Sequence, residues 1–361
     1  TQDASVFLRS MTFFVVLLLF HLLFFAYPVI RICDWLGLDS VASLVIFLPL
    51  FFSQVISRLI LRKSAKNFIW IRYAADFFLG LSPFLLFSVV LFEFAIFFQQ
   101  FNEGLAAKFS IAVSLLIGFW GLFSAMVPRV KTIQLRTEKI EDDFDFVQIS
   151  DVHIGSRSRV FLERLVEKIN RLDPKFLCIT GDFIDATGVN RSELVSLQKL
   201  DCPIFFSIGN HERYEDLDKI IERLASLGVT ILRSEVAHPS KEIQLIGIDD
   251  QEDVKQVDTE LKKINFSRNF FTILMYHRPK GFEDAEKAGI DLMLSGHTHK
   301  GQVFPFNLVV KKVFRYVSGL HRLGSSLLYV SQGTGTWGPV MRVGSFSEIT
   351  LFEVKNEPKT A

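Results

Sequence analysis

Five short polar motifs, each placed directly after an apolar run, contain the residues that could do chemistry. Five of the eight histidines fall within these motifs. A single histidine at such a place is more often a structural or surface residue. Many polar groups crowded beside apolar strands, however, would be destabilising unless bound cations satisfied them. Imidazole, carboxylate and amide donors suit borderline first-row ions rather than calcium. The motifs are Asp151-Val152-His153, Gly181-Asp182, Gly209-Asn210-His211-Glu212, His277 and Gly296-His297-Thr298-His299.

The elements that must position these motifs alternate between strands and helices. Apolar runs predict buried strands at 144–150, 176–180, 204–208, 243–248, 270–276 and 291–295, with later strands at 328–332 and 346–354. Helical periodicity predicts helices near 160–172, 192–200, 217–227 and 253–264. In open α/β sheets, ligands bind beyond the carboxyl ends of strands. We therefore expect the five motifs to meet at one rim of an α/β domain that spans residues 128–361.

The first 127 residues have a different composition. They hold only 14 of the 79 charged residues but 22 of the 38 phenylalanines. Four apolar stretches, at about 11–30, 40–60, 74–98 and 106–127, reach the length of about 20 residues that a membrane span needs. This pattern excludes a uniformly soluble enzyme and a disordered chain. It predicts a four-helix transmembrane module over residues 1–127, with the first span retained rather than cleaved as a signal peptide.

Basic residues predict the orientation of that module. They concentrate before the first predicted span, between the second and third, and after the fourth, which places the N-terminus and the α/β domain on the cytoplasmic side. A bacterial inner membrane is the expected setting. Asp76 and Glu93 lie within or at the edge of the third span, and such residues are functional candidates. Both nevertheless lie near its ends, where headgroups or water would satisfy them. The net charge of +1 gives no argument for a nucleic-acid partner.

The ordered set DVH, GD, GNHE, a lone histidine and GHTH resembles the calcineurin-like metallophosphoesterase superfamily, in its bacterial membrane-associated branch. The resemblance covers roughly residues 144–302. It implies two mixed sheets packed face to face with helices outside, and two divalent metal ions, with manganese favoured over iron, zinc or magnesium. By motif, the first ion would be bound by Asp151, His153 and His299. The second would be bound by Asn210, His277 and His297, and Asp182 would bridge the two.

The same resemblance implies a mechanism and an activity. A metal-activated hydroxide would attack phosphorus, and His211 would stabilise the transition state or protonate the leaving oxygen. Glu212 would brace its loop, and Asp185 would hydrogen-bond to a ligand histidine. Among basic residues that are surface residues by default, Arg157 and Arg342 are candidates for binding substrate. Arg342 follows the Gly-rich segment GTGTWGP, whose flexible backbone could return towards the rim.

We expect a membrane-anchored phosphoesterase that hydrolyses a phosphodiester or pyrophosphate. A phosphorylated, lipid-linked small molecule and membrane lipid are the expected partners, because tethering raises the local concentration of the enzyme near headgroups. UDP-2,3-diacylglucosamine, which related family members cleave, is one candidate substrate. A non-enzymatic scaffold or regulatory module is the alternative, and a lipid-handling membrane domain with an attached hydrolase is a third hypothesis.

Overall fold

The computed structural model describes residues 15–16, 18–57, 69–99, 101–186 and 188–358. The chain divides into two compact units. One runs up to Phe123 and includes the short segment Gly338–Met341. The other runs from Ser124 to Trp337 and resumes at Arg342. The predicted domain limits, 1–127 and 128–361, stay a prediction.

The first unit is helical. Its helices are α1 (Leu18–Trp35), α2 (Ser40–Val55), α3 (Ile69–Phe97) and α4 (Glu103–Met126). Among the described residues, α1, α4 and the stretch Trp70–Phe97 of α3 are long and apolar enough to cross a membrane. Phe25 and Val89 are fully buried in the core of this unit. These helices are consistent with a membrane module.

The expectation of four spans is wrong for the described residues, which contain three candidates. The second predicted span, 40–60, corresponds to α2, which has 16 residues. Helical backbone continues to Ser57, beyond which residues 58–68 lie outside the described residues, so α2 is not among the three candidates. Residues 58–60 at the end of that predicted span, and residues 11–14 at the start of the first, lie outside the described residues. So do the orienting basic residues Arg9, Arg58, Arg62, Lys63 and Lys66.

Glu93 in α3 is held by two partners from α1. Arg31 Nε donates to Glu93 Oε1 at 2.7 Å, and Tyr27 Oη donates to the other carboxylate oxygen. Arg31 lies within α1, just beyond the first predicted span at about 11–30. Its guanidinium also pairs with Asp34 at 2.6 Å. Paired charges of this kind are the usual way to place a carboxylate beside an apolar helix bundle.

The second unit contains two six-stranded mixed sheets. The strands are β1 (Arg129–Thr137), β2 (Phe144–Ile149), β3 (Leu177–Thr180), β4 (Ile204–Ser207), β5 (Val229–Ile231), β6 (Glu235–Ala237), β7 (Ile243–Ile248), β8 (Phe271–Tyr276), β9 (Leu292–Ser295), β10 (Gly319–Leu323), β11 (Ser326–Val330) and β12 (Glu348–Asn356). The first sheet has the strand order β1-β12-β2-β3-β4-β5 and the second β10-β11-β9-β8-β7-β6. β2 to β5 are parallel to one another, and so are β7, β8, β9 and β11. Antiparallel pairs occur at β12–β2, β6–β7 and β10–β11.

Helices surround these sheets. They are α5 (Arg159–Asn170), α6 (Arg191–Leu194), α7 (Asn210–Tyr214), α8 (Leu217–Ala225), α9 (Gln256–Leu261), α10 (Phe282–Ala288) and α11 (Phe306–Val313). The sequence of α5 shows why such a segment folds locally. Ser158 caps it by accepting a hydrogen bond from the Phe161 N–H, and Leu162, Leu165, Val166 and Ile169 form one buried face.

The sheets pack face to face on a shared apolar layer. Phe146, Cys178 and Phe205 of the first sheet lie in one buried cluster with Ile273 and Leu294 of the second. Further clusters cover the outer faces, one beneath α5 and α8 and one beneath α9 and α10. Strands covered on both faces need continuous apolar runs, and every residue of β3, β4, β7, β8 and β9 is buried. The prediction of two mixed sheets is confirmed.

Candidate metal centre

Two groups of candidate metal ligands lie at the carboxyl ends of strands from both sheets. In each group, one ligand atom from every member lies within 4.8 Å of the others. The first group consists of Asp151, His153 and His299, and the second of Asp182, His277 and His297. Six of the seven residues expected to bind metal therefore lie in two triads, with Asp182 in the second. The assignment of the seven side chains to two ions stays a prediction.

The first group joins the end of β2 to the turn after β9. His153 Nε2 lies 3.2 Å from His299 Nε2, and His299 Nε2 lies 3.3 Å from Asp151 Oδ1. Both oxygens of the Asp151 carboxylate accept from the His297 backbone N–H, at 3.1 and 3.0 Å. Asp151 thus also contacts the loop that carries the second group, so the two groups are neighbours.

The second group joins the end of β3 to the ends of β8 and β9. His277 Nε2 lies 3.0 Å from Asp182 Oδ2 and 3.2 Å from His297 Nδ1. His277 Nδ1 is 2.8 Å from the Thr180 carbonyl oxygen, which accepts its proton and leaves Nε2 directed at the carboxylate. A hydrogen bond on the far ring nitrogen is the usual way to orient a metal-binding imidazole.

Strained backbone brings these side chains together. Asp151, His153, Asp182, His297 and His299 all have positive φ, between 47° and 70°, which is uncommon for residues other than glycine. Two glycines allow the loops to approach one another. A Cβ at Gly209 would lie 2.3 Å from Asp182 Oδ1, and one at Gly296 would lie 2.0 Å from Ser150 Oγ. Such strain is concentrated at functional sites.

Asn210 supplies evidence that the group is built for a cation. Its side chain is buried, and Oδ1 has no hydrogen-bond partner among the described residues. A buried amide oxygen without a donor is costly, and a metal ion would satisfy it. The two imidazole nitrogens of each triad lie 3.2 Å apart, as expected of side chains that bind the same ion. The residues present therefore fit two divalent ions.

Three of the four candidate ligand histidines show contrasting proton affinities. Burial opposes charge on His277, but Asp182 and Asp151 outweigh it and raise its pKa to about 10. Burial, with the neighbouring His277, lowers the pKa of His297 to about 3. Burial also lowers the pKa of His299 to about 4, and the charges of His153 and Arg342 act in the same direction. Two of the three are thus neutral in the metal-free protein, which is the form a metal needs.

His211, the proposed catalytic residue, lies at the partly open side of this cluster. Its side chain is 18% exposed, and its Nε2 is 3.9 Å from Asp182 Oδ2. The backbone N–H of His211 donates to Asp182 Oδ1 at 2.8 Å. Burial, the largest influence, lowers the pKa of its imidazole. Its ring packs edge-on against His153, with centroids 4.8 Å apart.

Two exposed aromatic residues that the motifs did not identify flank His211. Tyr214 and Trp337 each pack edge-on against its ring, with centroids 5.7 Å away. Gln302 holds the Trp337 backbone by a reciprocal pair of hydrogen bonds, at 2.9 and 3.0 Å. The tryptophan in GTGTWGP and the glutamine in GHTHKGQ were the available signals, but only the fold shows that these segments meet.

Glu212 has the bracing position expected of it, whereas Asp185 approaches the His153 ring without making the expected hydrogen bond to it. Glu212 is fully buried, and its carboxylate accepts from the backbone N–H groups of Asp182, Phe183, Ile184 and Gly209 at 2.6–3.0 Å. Burial and the Asp182 carboxylate raise the pKa of Glu212 to about 7. Asp185 Oδ2 lies 3.5 Å from His153 Nδ1. These two acids tie the GD, GNHE and DVH motifs to one another.

Arg342 and Arg157 occupy buried positions. Arg342 is fully buried and donates to the carbonyl oxygens of Gly333, Gly335 and His299, to Ser345 Oγ, and towards His299 Nδ1 at 3.2 Å. These contacts occupy its five N–H groups and favour a role in positioning His299. Arg157 donates to the Ala125 carbonyl oxygen at 3.4 Å and lies over the Phe161 ring. Substrate binding by either arginine stays a prediction.

Two adjacent clusters of carboxylate and imidazole side chains at strand ends are the arrangement of a two-metal hydrolase. The family model for calcineurin-like phosphoesterase matches residues 144–301, the stretch that contains all five motifs. The chain belongs to the calcineurin-like metallophosphoesterase family and is a metal-dependent phosphoester hydrolase.

Similar proteins come from bacteria and vertebrates. An uncharacterized metallophosphoesterase of Helicobacter pylori is 33% identical over 261 residues, covering 68% of this chain and 70% of that protein. One from Campylobacter jejuni is 30% identical, covering 68% and 69%. A transmembrane protein with metallophosphoesterase domain from Danio rerio is 31% identical over 271 residues, covering 68% and 62%. Together with the three apolar helices, the last relative supports membrane association of this chain.

Proposed function

We propose that this chain is a membrane-anchored, two-metal phosphoesterase that hydrolyses a phosphodiester or pyrophosphate bond in a lipid-linked substrate. The proposal assigns Asp151, His153 and His299 to one ion and Asn210, His277 and His297 to the other, with Asp182 between them. Manganese is the proposed metal. The observation that carries the proposal is the convergence of six ligand side chains from both sheets into two adjacent triads.

The bound cations would supply Lewis acidity that stabilises negative charge on the phosphoryl oxygens. The chain itself supplies orientation and a proton. His211 lies beside both groups, in ring contact with His153 and close to the Asp182 carboxylate. We assign to its Nε2 the proton that passes to the leaving oxygen. Burial disfavours that proton in the free protein, but an anionic phosphate beside the ring favours the charged imidazole.

The membrane association of the chain supports the proposal of a lipid-linked substrate. A catalytic unit tethered at a bilayer meets amphiphilic phosphates at high effective concentration. Within the proposal, the membrane is a bacterial inner membrane, the metal centre is on its cytoplasmic side, and a lipid pyrophosphate such as UDP-2,3-diacylglucosamine is a candidate substrate.

Hydrolysis by ligand variants tests the assignment. The full chain in detergent micelles with manganese should cleave bis(p-nitrophenyl) phosphate. Asp182→Ala and Asn210→Ala should each lower the rate by about 100-fold or more, because each removes a proposed ligand. Asp218→Ala and Asn265→Ala, at exposed positions of the same unit, are the matched controls. Wild-type turnover in both ligand variants would refute the site assignment.

The scaffold alternative has less support. A binding module without catalysis would have no need of an unpartnered buried amide oxygen at Asn210 or of His211 beside the two triads. A metal-loaded protein that failed to cleave any of several phosphomonoesters, diesters and pyrophosphates would favour the scaffold. The lipid-handling hypothesis predicts loss of activity on a lipid substrate when Glu93 or Arg31 is replaced, with activity on a soluble diester retained.

A further inference from the structure

A segment covering residues 300–318 leaves the candidate metal centre and returns to it. It begins in the turn His299–Gly301, directly after a ligand histidine. At its other end, the Thr298 hydroxyl donates to the Val317 carbonyl oxygen at 2.6 Å. Phe314, just after α11, packs edge-on against the His297 ring with centroids 5.5 Å apart. The segment is therefore fastened at both ends to the GHTH loop.

The helix of this segment exposes its apolar side chains. Phe306, Val309 and Val313 of α11 share one face at helical spacing, and they are 39%, 57% and 66% exposed. Leu308 in α11 and Phe304 before it are exposed as well. α11 contains no buried residue. A helix of a soluble domain normally turns such a stripe to the core, and a contiguous exposed apolar patch marks a surface for a partner or a membrane.

The charge of the segment identifies the kind of partner. Residues 300–318 contain Lys300, Lys311, Lys312 and Arg315 but no aspartate or glutamate. Arg315 is paired with Glu283 at 2.6 Å, whereas Lys311 and Lys312 are exposed in the last turn of α11. A short helix with an exposed apolar stripe flanked by lysines fits the interface of an anionic bilayer. A two-fold contact between copies would instead bring the same lysines together.

We propose that α11 lies in the surface of an anionic bilayer. Phe306, Val309 and Val313 enter the boundary of the acyl chains, and Lys311 and Lys312 lie at the lipid phosphates. Because Phe314 touches His297, this arrangement places the candidate metal centre beside the headgroup layer. The use of that position for cleaving lipid phosphoesters rests on the proposed function, whereas the docking of α11 does not.

Spin labels on the full chain test the docking. Cys202, the only partly exposed native cysteine among the described residues, is replaced by serine, and a label is placed at Val309→Cys, at Val313→Cys or at Val160→Cys. Val160 is a matched exposed valine on α5 of the same unit. In nanodiscs that contain phosphatidylglycerol, we expect labels at 309 and 313 to collide mainly with oxygen. The label at 160 should collide mainly with a water-soluble nickel chelate.

The charge dependence is tested with Lys311→Glu and Lys312→Glu together. We expect this variant to move the labels at 309 and 313 towards the nickel chelate, as should nanodiscs of phosphatidylcholine alone. Nickel accessibility at 309 and 313 equal to that at 160 overturns the proposal. Protection from both reagents shows that another copy or segment covers the face, and overturns it too. Hydrolysis of bis(p-nitrophenyl) phosphate by the same samples is measured separately, and its absence would refute the proposed function alone.

Discussion

Replacement of Glu212 by glutamine tests how the loops of the metal centre are held. Each carboxylate oxygen accepts two backbone N–H groups: Oε1 from Phe183 and Ile184, and Oε2 from Asp182 and Gly209. Glutamine keeps one oxygen, so two buried N–H groups would lose their acceptor and face an amide NH₂. Each unsatisfied buried group costs about 1–3 kcal/mol, which gives about 2–6 kcal/mol for Glu212→Gln.

Amide hydrogen exchange measured by mass spectrometry detects the loss of these hydrogen bonds at the affected backbone N–H groups. Exchange of the Asp182, Phe183, Ile184 and Gly209 amides should accelerate by about 30-fold or more, because each 1.4 kcal/mol is a factor of about ten. The experiment is run about one pH unit above 7, where the Glu212 carboxyl is ionised. Glu222→Gln, at an exposed position on α8, is the control. If the two variants exchange at equal rates, the bracing role of Glu212 is wrong.

Two further predictions concern protons. His211→Asn should slow cleavage of an alkyl phosphodiester by about 100-fold or more. Cleavage of a p-nitrophenyl diester should be slowed much less, because p-nitrophenolate leaves without a proton. Equal losses of rate on the two substrates, measured in steady-state kinetics, would exclude an acid role for His211. His277, with a pKa raised to about 10, carries a proton at pH 7 in the metal-free protein. Metal binding must expel that proton, so the apparent manganese affinity should rise with pH up to about 10, by about tenfold per unit for one proton. Calorimetry in buffers of different ionisation enthalpy measures the proton released on manganese binding. Binding without proton release would contradict the pairing of His277 with Asp182.

The ends of the central strands were predictable from sequence, and so were most of the candidate metal ligands, because these follow the strand ends directly. Strands buried on both faces need unbroken apolar runs, so the polar residues after β2, β3, β4, β8 and β9 stand out. Strands at or near the sheet edges lack this signal. β1 and β10 alternate in exposure, and β5 and β6 have only three residues each. None of the four was predicted.

The membrane module shows a different limit of sequence reasoning. Hydropathy identified the apolar stretch at 40–60, and the structure describes a helix over Ser40–Val55 of it. The first predicted span ends at about residue 30, one position before Arg31, whereas α1 continues to Trp35. The hydrogen bond of Arg31 to Glu93, 62 positions away, allows Arg31 to lie within α1.

Arg342 and Trp337 illustrate what only the fold could show. Trp337 belongs to the Gly-rich segment GTGTWGP, and Arg342 follows that segment, whose backbone the sequence analysis expected to be able to return towards the rim. The buried guanidinium of Arg342 binds backbone carbonyls and the His299 ring, whereas Trp337 lies half-exposed beside His211. Burial depends on which distant segments pack together, and single-sequence patterns do not contain that information.

The metal content of the full chain tests the central claim most directly. Protein purified with manganese, freed of excess ion and analysed by inductively coupled plasma mass spectrometry should hold two ions per chain. Asp182→Ala should hold fewer, and the exposed control Asp218→Ala should again hold two. Parent protein that is folded by circular dichroism yet retains no divalent metal after manganese loading would contradict the account.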